Sequence, residues 1–580
     1  MGLTSALRIG QTALSASQLG VQVTGNNMAN MATPGYARRS LLLSPLESAD
    51  PLQRFQAGAG VTPESLTRVI DEAVIARLRG QIARERETNQ TLESLSALEA
   101  AIGELSETGL TSQLTEFFGA WSDRSTLVAS DGVVVQQAQT LVSSIKRMRD
   151  DLVQQKVQTD GLLDTLVPRV DDLLTQVADI NKNVARAQVA GGDTSSLRDQ
   201  RDRVLDELAA LIDVDTVERE SGAVDVYVGS TPMVLAGESR GIELRRQSVD
   251  GRVEVTLRAR ADGAELPVRS GQVGALLKAR DNAVGATIER LDQLAAELIY
   301  QTNKIHATAT GPDGLREATS QLRMPPNDRA LPLNSPGNPS TADLPFEISN
   351  GSFLVHIKNP STGVSEATRI TVDLDGLGDD SAATTLDDTS LEAIRQALDD
   401  VEGLRADFTP DGRLRVRGEN GARFSFSEDS SGLLGAIGMN AFFEGTSAED
   451  IAVRSDIADD PTRLNVGRIG SDGEFRENAA ALDMAKLQDA GFEALGDQGL
   501  NGFWTTVAGN VGAQVDAALT NAEAAAVVRE SIEAQRAAVS GVSLDEEAIN
   551  LVTYQQAYQG AARYISVVDQ LQQELLSIFV

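Results

Sequence analysis

Side chains suited to catalysis are scarce in this chain. There are two histidines, His306 and His356, and no cysteine. Thiolate nucleophiles, disulfides and thiolate metal sites are therefore excluded from the outset. A zinc protease would need His-Glu-x-x-His on one helix, whereas His306 is followed by Ala307-Thr308 and His356 by Ile357-Lys358. His306 falls near the end of a helical pattern, where it can cap or pack. His356 falls in a strand pattern and reads as a surface or pairing residue. The run Asp373-Leu374-Asp375-Gly376-Leu377-Gly378-Asp379-Asp380 invites a calcium assignment, but its first glycine comes fourth. An EF-hand loop needs glycine sixth, so a solvated acidic loop is the better reading. Gly58-Ala59-Gly60 neither follows a buried strand nor opens a phosphate loop. No catalytic, cofactor-binding or metal residue is expected, and the chain does not read as an enzyme.

Composition narrows the class further. With 580 residues, three or four domains are expected. The 41% apolar content argues against wholesale disorder. Aromatics are only 4%, so aliphatic side chains must do most of the packing. Lys and Arg number 51 against 84 Asp and Glu, a net charge of −33. Such a balance repels phosphate backbones and anionic lipid, making nucleic acid and membrane poor partners. No apolar run approaches the roughly 20 residues that span a bilayer. The start, Met1-Gly2-Leu3-Thr4-Ser5-Ala6, lacks the basic and apolar regions of a cleavable signal and fails the myristoylation pattern. If the chain is exported, the expected route leaves its N-terminus intact.

The elements fall in a readable order. Residues 3–29 form an amphipathic helix in which Leu7, Leu14, Val21 and Met28 recur every seven residues, with Leu3, Gly10, Ser17 and Thr24 at the second seam position. Pro34 forces Thr33 to extended geometry and Pro34-Gly35 favours a turn, so the helix must stop near Asn30. Residues 37–65 read as an extended arm. Helical spacing returns over 66–120 and again over 134–189, where Leu163, Leu166, Val170, Leu173, Val177, Ile180 and Val184 make a coiled-coil seam. Pro168 predicts a kink or restart inside it. A further helix is expected at 195–211, a small antiparallel sheet at 214–268, and a helix at 273–307. Beyond a Pro- and Gly-rich stretch, strands are predicted at 346–358, 367–374, 413–417 and 423–427, with a helix near 390–400. After 478 the pattern is helical, broken by glycines at 491–502 and near 540.

The last helix, 544–579, opens with a capping box, Ser543 as N-cap and Glu546 three residues on. Leu551, Tyr554, Tyr558, Ala561, Ile565, Val568, Leu575 and Phe579 follow three-four spacing, with Gln572 the one polar seam residue. Tyrosine offers large contact area at low entropic cost, which suits an interface. A helix at a chain end frays unless something ties it down. Two such helices with seam spacing predict that the ends pair and then bury against other copies.

The fold class expected is therefore multidomain and mainly α, with long coiled-coil-like helices, small antiparallel β regions, an inserted α+β domain, and paired N- and C-terminal helices. The expected division is 1–65 (helix and extended arm), 66–310 (helical rod domain), 311–470 (β-rich insert), 471–540 (returning helices) and 541–580 (last helix). That order implies a rod with the terminal helices at one end and the insert at the other.

Asn26-Asn27-Met28-Ala29-Asn30 with Thr33-Pro34-Gly35-Tyr36 resembles the N-terminal signature of the flagellar rod, hook and hook-associated axial proteins. Ser540-Gly541-Val542-Ser543-Leu544-Asp545-Glu546-Glu547, with Tyr554-Gln555-Gln556-Ala557-Tyr558, resembles the C-terminal signature of that family. Three internal stretches narrow the resemblance to its hook-associated protein 1 (FlgK) branch. They are Leu197-Arg198-Asp199-Gln200-Arg201-Asp202, Gly271-Gln272-Val273-Gly274-Ala275-Leu276-Leu277 and Asn303-Lys304-Ile305-His306. Ala441-Phe442-Phe443-Glu444-Gly445 with Asp450-Ile451-Ala452-Val453 is similar to the late region of the same branch. The resemblance is thinnest over 311–430.

The resemblance implies a structural component of the bacterial flagellum, exported unfolded through the type III channel without a cleaved signal. It would sit outside the cell at the hook–filament junction. The implied partners are copies of itself, the hook protein, hook-associated protein 3 and the export chaperone FlgN on the last helix. The implied assembly residues are Leu7, Leu14, Val21, Asn27, Met28, Asn30, Pro34, Gly35 and Tyr36 at one end, and Leu551, Tyr554, Tyr558, Ile565, Val568 and Leu575 at the other. Alternatives are another axial component, such as the hook protein or hook-associated protein 3, or a ligand-binding module in the insert.

Overall fold

The structure is a computed structural model that describes residues 3–46, 58–103, 109–249, 252–342, 344–346, 348–358, 365–377 and 387–578. It opens with α1 (Leu3–Ala29), strands β1 (Arg39–Pro45) and β2 (Val61–Arg68), and helices α2 (Glu72–Ile102), α3 (Leu110–Ser125), α4 (Asp131–Val189) and α5 (Ser195–Leu211). Strands β3 (Asp215–Glu218), β4 (Val224–Val228), β5 (Thr231–Leu235), β6 (Glu238–Ser239), β7 (Ile242–Val249) and β8 (Arg252–Ala259) follow. Then come α6 (Gly271–Lys278), a π-helical stretch Ala279–Gly285, and α7 (Ala286–Ala307). The next stretch holds β9 (Ala309–Thr310), β10 (Glu317–Arg323), β11 (Gly351–Lys358), β12 (Ser365–Val372), α8 (Leu391–Asp399), β13 (Leu404–Phe408), β14 (Arg413–Gly418), β15 (Arg423–Ser427) and α9 (Leu433–Ala436). After it come β16 (Phe443–Glu444), β17 (Ala452–Val453), α10 (Ser455–Asp459), β18 (Gly467–Ile469), β19 (Phe475–Arg476) and α11 (Ala479–Lys486). Two long helices finish the fold, α12 (Leu500–Ser540) and α13 (Leu544–Ile578).

The chain divides into two compact units. One comprises Met1–Ser94, Gln158–Arg280 and Asp516–Val580; the other comprises Leu95–Val157 and Asp281–Val515. The dividing points at Ser94, Val157 and Val515 fall inside α2, α4 and α12.

In the first unit the three-four stripe of α4 is buried as its spacing requires, through Leu163, Val170, Leu173, Val177, Ile180 and Val184. What covers it is not a second long helix. Val204, Leu205 and Leu208 of α5 pack there, together with Val226 and Val228 of β4, Val234 of β5 and Leu257 of β8. The expected coiled-coil seam is thus one wall of a mixed helix-and-sheet core, because a three-four stripe buries equally well against strands. Pro168 neither restarts nor ends the helix, which runs unbroken from Asp131 to Val189. The strands form an antiparallel sheet in the order β3-β4-β5-β6 and the hairpin β7-β8. The expected arm is a second hairpin, β1 against β2, with an irregularity between Leu42 and Leu43.

The second unit has two three-stranded antiparallel sheets, β10-β14-β13 and β12-β11-β15. Their core joins Phe353, Val355, Leu414, Val416, Phe424 and Phe426 to Leu391, Ile394 and Leu398 of α8. Two of these strands went unforeseen. Glu317–Arg323 carries only one β-branched residue, and Leu404–Phe408 alternates apolar and polar residues over just five positions that include the weak strand formers Ala406 and Asp407, so neither has a strong strand signature. His356 is buried in the middle of β11, not at the surface, with Nε2 2.8 Å from Ser427 Oγ. The expected single helix over 273–307 is split by the π-helical stretch, whose Arg280 is buried against Asp160 at 2.6 Å. A wider turn of this kind is a local insertion in the helical register and has no apolar signature.

Candidate assembly site

Helices α1 and α13, separated by most of the chain, lie side by side within the first unit. The contact is made by the small residues of α1. Gly10, Ser17, Gly20, Thr24 and Asn27 are its buried positions, along with Ala16. A Cβ added to Gly10 would come within 2.6 Å of Ile565, and one added to Gly20 within 2.5 Å of the Tyr554 ring. Glycine there removes the side chain that would hold the backbones apart. The leucine seam takes a flanking position, with Leu7, Leu14, Val21 and Met28 only half-buried. Sequence periodicity found both seams but not which one faces the partner helix.

On α13, Ala561 and Val568 are buried, and Leu551, Tyr554 and Ile565 are half-buried. Tyr558 and Leu575, predicted for the same seam, lie exposed at 41% and 45%, and Phe579 lies outside the described residues. A second apolar set faces solvent: Ile549, Val552, Val567 and Leu571, with Tyr564 at its border, its ring edge beside Gly10.

At the end of this helix pair the two signatures bond to each other. Asn27, 1% exposed, uses its whole amide. Its Nδ2 donates to Arg39 O (2.9 Å) and Glu547 Oε2 (3.1 Å), and its Oδ1 accepts from Tyr36 OH (2.7 Å) and Arg39 N (3.1 Å). Glu547, also 1% exposed, takes Arg38 Nε at 2.8 Å, and Glu546 takes Arg38 Nη1 at 3.0 Å. The Glu546 carboxylate, read from sequence as half of a capping box, is therefore committed to Arg38. Asn30 Nδ2 donates to Asn26 O at 2.9 Å and Thr33 Oγ1 donates to Asn30 Oδ1, which closes the turn before Pro34. The Arg38 amide donates to Ser540 O, at the end of α12.

The same cluster reaches α5. Arg39 stands 3.5 Å from Asp199, Arg68 of β2 stands 2.9 Å from it, and Arg68 and Arg79 both pair with Asp202. Burial pushes the Asp199 carboxyl above its ordinary range despite Arg68 and Arg39. Burial also opposes ionisation of Asp202, but Arg68 and Arg79 outweigh it and hold that group below the carboxylate range. Arg201, buried, donates to Gly222 O and to Glu218. These partners were not foreseen, although Arg38-Arg39 directly after one signature and Glu546-Glu547 within the other are a visible charge match.

The internal motifs in the second unit also clasp one another. Asn303 Oδ1 accepts from the amides of Phe442 and Phe443, and its Nδ2 donates to Phe443 O. His306 is fully buried with Nδ1 2.6 Å from Asn440 O, and Asn440 Nδ2 donates back to His306 O. Burial, aided by the nearby Arg454 charge, lowers its pKa to about 3, so the imidazole is neutral. Phe442 packs edge-on to Trp121 and against His306.

Elsewhere, Asp373, Asp375 and Asp388 bring carboxylate oxygens within 4.8 Å of one another. Asp388 is buried and is already bonded to Asn334 Nδ2 and the Gly376 amide. Residues 378–380 of that acidic run lie outside the described residues. Among the described residues no helix is long and apolar enough to cross a membrane.

Residues 95–319 match the family described as flagellar hook-associated protein FlgK helical domain. Residues 532–578 match the C-terminal domain of flagellar basal body rod FlgEFG proteins, and residues 7–36 match flagella basal body rod protein. Flagellar hook-associated protein 1 of Salmonella typhimurium is 24% identical over 99% of this chain and 100% of its own. The Bacillus subtilis protein of that description is 28% identical over 38% of this chain and 45% of its own. The solved structure of the flagellar hook junction protein FlgK from Burkholderia pseudomallei aligns over 80% of this chain and all of its own, at 13% identity and a TM-score of 0.48. Matches to axial-protein domains thus fall on the two bonded signatures, and a helical-domain match lies between them. Along its whole length the chain is thus similar to flagellar hook-associated protein 1 (FlgK), and the matches together support a structural role among the axial proteins of the flagellum.

Proposed function

We propose that this chain is a subunit of the hook–filament junction of a bacterial flagellum and polymerises through the α1–α13 pair. The observation that carries the reading is the second apolar face of α13. One side of the helix packs on α1, while Ile549, Val552, Val567 and Leu571 remain exposed between 48% and 67%. A long helix with an uncovered apolar side gains by burying it against another chain, at about 25 cal/mol per Å² removed from water. In the assembled tube that cover is a neighbouring copy, with the hook protein on one side and hook-associated protein 3 on the other. Before assembly the same face needs a shield, which is the role of the export chaperone FlgN on α13. Export through the type III channel and a final location outside the cell belong to the same reading.

Incorporation onto isolated hooks tests it. Removing residues 544–580 should abolish incorporation while the second unit keeps its melting transition. Leu14→Asp and Ile565→Asp should each reduce incorporation strongly with little change in that transition. Undiminished incorporation of the truncated chain would overturn the reading.

A further inference from the structure

The signature turn that clasps α13 also borders a cleft of about 310 Å³, lined by Asn26, Asn30, Thr33, Tyr36, Arg39 and Arg203 among others. Most polar groups around it are already committed. The Asn30 amide bonds to Asn26, Thr33 bonds to Asn30, and Tyr36 OH donates to Asn26 and Asn27. Arg39 is held by Asp193 and Asp199. Arg203 differs. It is exposed, and among the described residues its guanidinium has no carboxylate or hydrogen-bond partner.

Its position is built rather than accidental. Gly35 has φ +76°, and a Cβ there would lie 2.7 Å from Arg203 Cγ and 3.0 Å from Cδ. Only glycine both adopts that backbone without strain and lets the arginine stem cross the turn. The glycine of the Thr33-Pro34-Gly35-Tyr36 signature thus holds a free guanidinium at the mouth of the cleft.

We propose that Arg203, laid across Gly35, receives an acidic side chain from a second copy of this chain. The signature turn would then be a docking pocket between copies as well as a clasp within one. This rests on the assembly reading above. Arg39 is matched by Asp193 and Asp199, which leaves Arg203 as the uncommitted charge lining the cleft, on a chain of net charge −33. A second copy therefore offers a surface dominated by carboxylates, and the guanidinium fork binds a carboxylate through two parallel bonds. A charge match of this kind acts on the rate of encounter and on register.

The test uses the full chain assembling on isolated hooks. A photo-crosslinking amino acid at position 196 reports what enters the cleft, because Ser196 lines it without being the proposed receptor. Crosslinked dimers of this chain are the expected product, and crosslinks to hook protein alone, or none, would sink the proposal. Arg203→Glu should slow incorporation about tenfold, Arg203→Lys should do so less, and neither should change the melting temperature. Gly35→Ala should act like Arg203→Glu by displacing the stem. Wild-type incorporation by Arg203→Glu overturns the pocket alone if Ile565→Asp still fails to assemble. If Ile565→Asp also assembles normally, the helix-pair reading has failed too.

Discussion

Asn27 shows how much one side chain can carry. It fills all its hydrogen-bonding capacity with Arg39, Tyr36 and Glu547. Asn27→Ala would strand a buried carboxylate edge and two backbone groups, at a cost of about 2–4 kcal/mol. Asn27→Asp should be worse at pH 7, since it sets a second carboxylate about 3 Å from Glu547. Chemical denaturation of the two variants should rank them in that order, and the gap should narrow on acidification. His306 provides a separate pH signature. Its folded pKa of about 3 lies below the ordinary 6.5, so the unfolded chain binds a proton that the folded chain refuses. Stability from this group is intact above pH 6.5 and falls as pH drops from 6.5 toward 3, by at most about 5 kcal/mol. His306→Gln should flatten the acid limb of the stability curve by one proton. A limb of unchanged slope would show that the histidine does not titrate in this way. Asn27, Asn303 and His306 stood in legible motifs, but which residues they would bond was not legible, because the distance in sequence between Asn27 and Glu547, or Asn303 and Phe442, erases any local pattern.

At the scale of elements, the glycines of the helix pair invert the usual rule. Glycine inside a helix ordinarily costs about 1 kcal/mol relative to alanine. Gly560→Ala, whose Cβ would meet nothing within 4 Å, should therefore stabilise α13 by about 0.5–1 kcal/mol. Gly20→Ala should destabilise the α1–α13 pair by about 1–3 kcal/mol, because its Cβ would run into the Tyr554 ring. Hydrogen exchange over 3–29 and 544–578 should slow in the first variant and quicken in the second. Equal effects of one sign would contradict the close approach. The helix ends near Asn30 and the helix at 195–211 were readable from Pro, Gly and periodicity. The π-helical stretch and the strands β10 and β13 were not, since neighbouring elements and not local propensity hold them.

For the whole molecule, two separate cores predict separable damage. Phe353 is fully buried in the second unit's sheet core. Phe353→Ala should cost about 3–5 kcal/mol there and lower the melting of that unit. Below that melting temperature, incorporation onto hooks should remain as in the unaltered chain, because the proposed assembly face lies on α1 and α13. Loss of incorporation with the fold intact would instead make the inserted region part of the interface. The net charge of −33 keeps such a chain soluble while the α13 face is uncovered.

The sequence alone determined the kinds of element, the two end signatures and the poverty of catalytic groups, because periodicity, turn chemistry and composition act over a few residues. Only the tertiary structure decided that the glycine seam of α1, and not the leucine seam, meets α13. The α4 stripe, likewise, is closed by strands where another long helix was expected. The reason is shared. An apolar stripe states that something must cover it, but which surface comes close enough is set by the backbones the fold lays alongside: the far end of the chain for α1, and α5 with the strands after it for α4.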